Sequence, residues 1–167
     1  VAFRLGRFAH RRVFDPRSNG FRAGRALYSR LEASGNPLLK ALHGIERSSK
    51  AFLYGCRDCG DCSIPEIGFL CPESQCAKNQ RNGPCGGSRS GRCEVSDRHC
   101  IWVRAYYRSR VFGEERSLLA RPPVIRDGLL QGTSAWANTF LGRDHATRSA
   151  DGAAATRSSA ATPTVRG

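Results

Sequence analysis

All eight cysteines of this 167-residue chain fall between positions 56 and 100: Cys56, Cys59, Cys62, Cys71, Cys76, Cys85, Cys93 and Cys100. The stretch that holds them is rich in Gly, Pro, Ser, Asp and Asn, residues that favour turns over long regular elements. It has too few large apolar side chains to build a core of its own. Such a segment needs staples, either metal or disulfides, to hold one shape. Any fold for the chain must therefore surround an irregular, cross-linked middle with regular elements on both sides.

The flanks read as short helices. Residues 21–34 carry Phe21, Leu27, Tyr28 and Leu31 at helical intervals. Gly35-Asn36-Pro37 ends that helix and opens the next, with Asn36 at the N-cap and Pro37 at the first helical position. Over residues 37–52 the apolar set Leu38, Leu39, Leu42, Ile45 and Phe52 predicts one buried face. After the cysteines, Ser96 or Asp97 caps an expected helix over 98–112, with Trp102, Val103 and Tyr106 on its inner face. A short helix over 113–120 stops at Pro122-Pro123. Another over 133–141 starts at Thr133, turns Trp136 and Phe140 inward and closes at Gly142. The fold class is thus a small α-rich domain with an irregular, metal-stabilised cysteine-rich segment and few or no strands. That segment is expected to pack between the helices over 37–52 and 98–112.

Three regions follow from composition. Residues 1–20 form a basic arm, extended or briefly helical, with a few hydrophobic anchors. Residues 21–145 form the domain. Residues 146–167 collapse to Ala, Ser, Thr, Gly and Arg and read as a disordered tail. The net charge of +13 is uneven, with +8 in the first fifty residues and none across the next fifty. Basic ends suit nucleic acid or an acidic partner. However, 24 of the 27 basic residues are Arg, a skew that codon composition also produces, so nucleic-acid binding is the lesser expectation. No apolar run approaches the roughly 18 residues of a membrane span. The Arg-rich first twelve residues lack the apolar stretch of a secretory signal. The expectation is a soluble cytoplasmic protein.

The first four cysteines read C-x2-C-x2-C-x8-C-P. Close C-x2-C spacing lets a turning backbone aim thiolates at one centre. Three in succession resemble the ferredoxin run, in which a proline also follows the last cysteine. The gap from Cys62 to Cys71 is longer than in that run, which leaves the fourth ligand open. Zinc sites more often use two separate pairs, so the spacing favours iron–sulfur over zinc. Cys76, Cys85, Cys93 and Cys100 contain no close pair and are candidates for a second centre. His99 stands beside Cys100 as a substitute ligand or a surface residue, and His10, His43 and His145 give weaker signals. A disulfide framework fits the even count but not the missing signal or the crowding of three cysteines into seven residues. Asp58, Asp61, Glu66 and Glu73 read as solvated or supporting groups. No phosphate loop, dinucleotide fingerprint or serine nucleophile elbow is present.

The stretches GCRDCGDC, FLCPESQCAKNQRNGPCGG, GRCEV and CIWVRAYYR together resemble the C-terminal domain family of methylenetetrahydrofolate reductases. The shared patterns are C-x2-C-G-x-C, C-P-x3-C-x-K, N-G-P-C-G-G, G-x-C-E-V and C-x-W. The likeness spans about residues 31–124. Residues 132–136 and 142–145 look like the ending of some members. The resemblance implies an accessory, non-catalytic domain or subunit in one-carbon metabolism. Its partner would be a flavin-bearing (β/α)8 reductase, with FMN or FAD on that partner only. It also implies metal on the eight cysteines, as one or two iron–sulfur clusters of the 4Fe–4S kind or, alternatively, zinc. The chain is too short for the barrel itself, which needs about 250 residues. A zinc-stabilised binding module with a basic nucleic-acid arm is the rival expectation. In the Asn82–Gly87 stretch, a tight turn would present Cys85, and Gly86 and Gly87 would supply positive φ.

Overall fold

The computed structural model describes residues 2–120 and 123–148. They form an α-rich chain with one small hairpin. In order these are α1 (Ala2–Val13), α2 (Asn19–Ala33), α3 (Leu38–Tyr54), a 3-10 turn (Pro65–Ile67), α4 (Pro72–Gln75), β1 (Ser88–Arg89), β2 (Arg92–Cys93), α5 (Ile101–Arg110), α6 (Ser117–Ala120), a second 3-10 turn (Gly128–Leu130) and α7 (Ala135–Phe140). The two strands pair antiparallel, Ser88 opposite Cys93. Among the described residues no helix is long and apolar enough to cross a membrane.

The basic arm is a packed helix. Phe3 of α1 meets the rings of Phe69 and Phe112. Arg7 lies over the Phe112 ring and pairs with Glu114. Helices α1 and α2 approach closely at Gly20, where a Cβ would stand 2.2 Å from the Arg12 carbonyl oxygen. Helix α2 starts at a Ser18 N-cap, whose Oγ accepts the Phe21 N–H. It then packs on α7 through Gly24 against Phe140 and through Tyr28 stacked on the same ring at 5.2 Å. The last expected helix keeps its inward Phe140, but Ser134 rather than Thr133 caps it.

The expected start of α3 is close to the observed one. Asn36 Oδ1 accepts the Leu38 N–H at 2.9 Å, and Pro37 sits just before the first helical residue. The expected buried face is observed only in part, with Leu39 and Leu42 half-buried beside Glu46 and the other three residues exposed. Leu38, Ile45 and Phe52 are 46, 61 and 91% exposed, and the fully buried residue of α3 is Glu46. Hydrophobic spacing reveals a face but not its direction. Here the polar side, His43, Glu46 and Lys50, turns inward. Helix α5 is likewise rotated from expectation. It buries Ile101, Trp102, Ala105 and Ser109 and leaves Tyr106 exposed. It begins at Cys100 with no side-chain cap, so neither Ser96 nor Asp97 plays that part.

The cysteine segment lies between these two helices and supplies much of the core. Ile67 and Leu70 pack with Ile101, Trp102 and Ala105 of α5. Ile64, Phe69 and Cys71 form a second cluster with Phe3 and Tyr54. Each such large aliphatic side chain contributes about 1.5–3 kcal/mol when fully buried. The segment is therefore less poor in core residues than its turn-rich composition suggests. Residues 145–148 form a helical turn, so the expected disordered tail does not begin at Ala146; residues 149–167 lie outside the described residues.

Candidate metal centre

Helix α3 ends at Gly55, whose φ of 65° reverses the chain. The Cys56 N–H then donates back to the Lys50 carbonyl, which sets Cys56 beside the last turns of α3. The Asp58 N–H donates to Cys56 Sγ at 3.3 Å from a backbone with φ 55°. Gly60 follows with φ 70°, and a Cβ there would lie 1.8 Å from the Leu130 carbonyl oxygen. That close approach accounts for glycine within C-G-D-C. Cys71 precedes Pro72, the first residue of α4.

These turns bring Cys56, Cys59, Cys62 and Cys71 to the wall of one cavity, together with Glu46 and Lys50 of α3 and with Arg81. Burial pushes the Cys62 thiol up to about 11 against the opposing pull of Lys50. It raises Cys56 as well. Two cations face the sulfurs. Arg81 is buried, and its guanidinium donates to Cys59 Sγ at 3.5 Å, to the Asp61 carbonyl at 3.0 Å and to Glu73 at 2.9 Å. Burial opposes the Lys50 charge, but the Cys62 sulfur and the Glu46 carboxylate outweigh it and raise its pKa. Glu46 accepts from Lys50 Nζ at 2.5 Å, Ser134 Oγ at 2.5 Å and the Trp136 N–H at 3.1 Å.

Four thiols with two cations at their edge form a soft, charge-compensated donor set, suited to zinc or an iron–sulfur cluster. The space between them is about 20 Å³, the size of one bound water. Among the described residues no three His, Cys, Asp or Glu side chains are drawn together as ligands of an ion. Either occupant would require the thiols to re-aim. A single ion with bonds near 2.3 Å would draw them inward, and a multi-iron core would spread them.

All eight cysteines are free thiols, and none lines up in the disulfide framework that their even number allows. The second four do not join the cavity. Cys76 and Cys100 pack against the core of Ile67 and Trp102. Cys85 is exposed, and Cys93 is half-buried in β2. The Val95 N–H, followed by Ser96, holds the Cys93 thiol below its ordinary pKa. Lys78 lies near both Cys85 and Cys93 and pairs with Glu94. Asn82 clips the loop by exchanging side-chain hydrogen bonds with the Val124 backbone. Gly86 has the expected positive φ, whereas Gly87 does not. A Cβ on Gly87 would meet Glu94 Oε1 at 2.1 Å, the movable end of a flexible side chain, so space does not demand glycine there. His99 is exposed, its backbone bridged to Arg92.

Sequence reasoning missed the groups that hold the loop. Asp61 is wholly buried at 0% exposure, not solvated. It accepts the His145 backbone N–H at 3.1 Å, His145 Nδ1 at 2.5 Å, Arg148 at 3.1 Å and the Asp127 N–H at 3.4 Å. His145 Nε2 meets Glu66 at 2.8 Å. Burial works against the His145 charge, but the two carboxylates prevail and raise its pKa to about 9. Asn138 reaches the adjacent Gly60 carbonyl at 2.8 Å. His43 also belongs to the surroundings of the cysteines, 2.9 Å from Asp58. The available signal was Asp61 lying between two cysteines, together with the polar Gly142–His145 stretch that carried part of the resemblance.

The described residues thus define a small helical domain organised around a thiol-lined cavity. A family model described as methylene-tetrahydrofolate reductase C terminal matches residues 37–126, more than half of the chain, and the chain belongs to that family. The description associates it with methylenetetrahydrofolate reductase. Neither the curated proteins nor the solved structures contain a match to the chain.

Proposed function

We propose that this chain is the accessory domain or subunit of a methylenetetrahydrofolate reductase. In this reading Cys56, Cys59, Cys62 and Cys71 hold an iron–sulfur centre that supports electron transfer to a flavin-bearing barrel partner. The observation that carries the reading is the meeting of those four thiols at one cavity with Lys50 and Arg81 at its wall. Bound there, a cluster would supply one-electron chemistry matched to a flavin, which accepts one or two electrons. The chain's own residues bind and orient. The Asp58 N–H and Arg81 donate to two of the sulfurs, and such contacts tune a cluster's potential. Cys76, Cys85, Cys93 and Cys100 are the donors for a second centre, which would require Cys85 to fold inward.

The smallness of the space between the thiols favours a second reading, a zinc ion with a purely structural part. Zinc has no redox chemistry, so it would hold the loop and carry no electrons. Iron, zinc and acid-labile sulfide analysis of anaerobically purified protein separates the two. Iron and sulfide in equal amounts, lost in Cys71→Ser, support the cluster. Zinc without sulfide overturns it. Turnover of methylenetetrahydrofolate should appear only when the chain is combined with a flavin-bearing reductase subunit, and turnover by the chain alone refutes the accessory reading.

A further inference from the structure

Ser63 follows the third cysteine of the loop and lines the same cavity as the four thiols. It is 2% exposed. Its backbone is fixed, because its carbonyl accepts the Glu66 N–H at 3.2 Å where the Pro65–Ile67 turn begins. Its hydroxyl Oγ is buried and has no hydrogen-bond partner among the described residues. Buried polar atoms are nearly always paired, so an orphan of this kind needs an explanation. Ser96 Oγ and Glu115 Oε2 share the condition, but neither residue lines the thiol cavity. Other donors at the cavity are already committed. Lys50 Nζ donates to Glu46. Arg81 divides its guanidinium among Glu73, the Asp61 carbonyl and Cys59 Sγ. The Asp58 N–H donates to Cys56 Sγ. A single water would fit the space of about 20 Å³, but neutral thiols are weak partners for it. Sulfur that carries negative charge, as metal-bound sulfur does, is a stronger acceptor.

We propose that the Ser63 hydroxyl donates a hydrogen bond to a sulfur of the iron–sulfur centre in this cavity and so raises the reduction potential of that centre. The inference rests on the iron–sulfur reading of the cavity and adds to it a residue that binds no iron. A cluster gains negative charge when it is reduced. A donor at its sulfur therefore stabilises the reduced form more than the oxidised one. The burial of Ser63 strengthens the effect, because no solvent competes for the hydroxyl.

The test uses the full chain, purified anaerobically with its centre, beside Ser63→Ala and Ser63→Gly, which both lack the hydroxyl. Each variant should keep the parent's iron and sulfide per chain and its circular dichroism. In a potentiometric titration with dithionite, the equilibrium constant for one-electron reduction should fall about tenfold, a downward shift of about 59 mV. The Fe–S stretching bands of the parent, read by resonance Raman, should move in D2O, and by less in the two variants. An unchanged potential with iron and sulfide intact overturns Ser63 as the donor and leaves the iron–sulfur reading standing. Loss of the centre or of the fold in both variants overturns the donor role in favour of a ligand or a purely structural part. Zinc without sulfide in the parent chain overturns the iron–sulfur reading and this inference with it.

Discussion

His145 Nδ1 lies 2.5 Å from Asp61 Oδ1, across 84 positions of sequence. The contact ties the C-terminal turn of the described chain to the residue between Cys59 and Cys62. Glu66 on the other ring nitrogen holds His145 charged, with its pKa raised to about 9. An unfolded histidine titrates near 6.5. The stabilisation is therefore complete below about pH 6.5 and lost as pH rises through 9, and it amounts to at most about 3 kcal/mol. Urea unfolding of the metal-loaded chain should show stability falling across that window. In His145→Gln the component should vanish, leaving a less stable but flatter profile. On the acid side, burial disfavours the Asp61 charge, but the His145 bonds outweigh it and lower its pKa. Its contribution should persist until pH falls below the ordinary carboxylate range.

Asp61→Ala should be costlier than His145→Gln. It leaves His145 and Arg148 without the carboxylate that both face. Removing one partner of a buried ion pair costs about 3–5 kcal/mol. Asp61→Asn keeps an acceptor and should lose less. Calorimetric melting of the two variants checks the order, and a metal-to-protein ratio that falls with them would show that the Cys59–Cys62 turn depends on this anchor.

Glu46→Ala should destabilise by about 3 kcal/mol, since Lys50 is then left buried without its carboxylate. Adding Lys50→Met should recover part of that loss, because the pair is then absent rather than broken. A double-mutant cycle in urea measures the coupling.

Two glycine substitutions should differ sharply. Gly60→Ala places a methyl on the Leu130 backbone oxygen and in a left-handed conformation. It should cost more than about 3 kcal/mol or prevent folding. Gly87→Ala meets only the end of the Glu94 side chain, which can swing aside at a cost of about 1 kcal/mol or less. Soluble yield and melting temperature distinguish them.

If the thiols hold metal as proposed, a chelator under reducing conditions should lower the melting temperature and open the loop around Arg57, which is exposed between Cys56 and Asp58. Trypsin should cut there faster in the stripped chain, as mass spectrometry of the fragments would show.

Local chemistry was legible where it is written in neighbouring residues. Asn36-Pro37 marked the start of α3, Gly142 was expected to close the last helix and follows it with a φ of 73°, and the C-x2-C spacing drew attention to thiols that line one cavity. Direction and distance were not legible. The spacing of Leu38, Ile45 and Phe52 describes a face equally well whether it turns inward or outward, and the inward side is decided by Glu46 meeting Ser134 and Trp136 some ninety positions away. The Asp61–His145 pair has no periodicity at all. A lone histidine in a polar stretch gains its meaning only when the fold carries it to a buried carboxylate.

The clasp also imposes an order in time. A ribosome releases the four loop cysteines well before Asn138, His145 and Arg148, the groups that hold Gly60 and Asp61. At about 5–20 residues per second, the nascent loop spends seconds with its thiols presented and its anchor still inside the exit tunnel. If the thiols take metal as proposed, metal delivered in that interval would meet an open loop, and metal delivered later would have to work past a closed one.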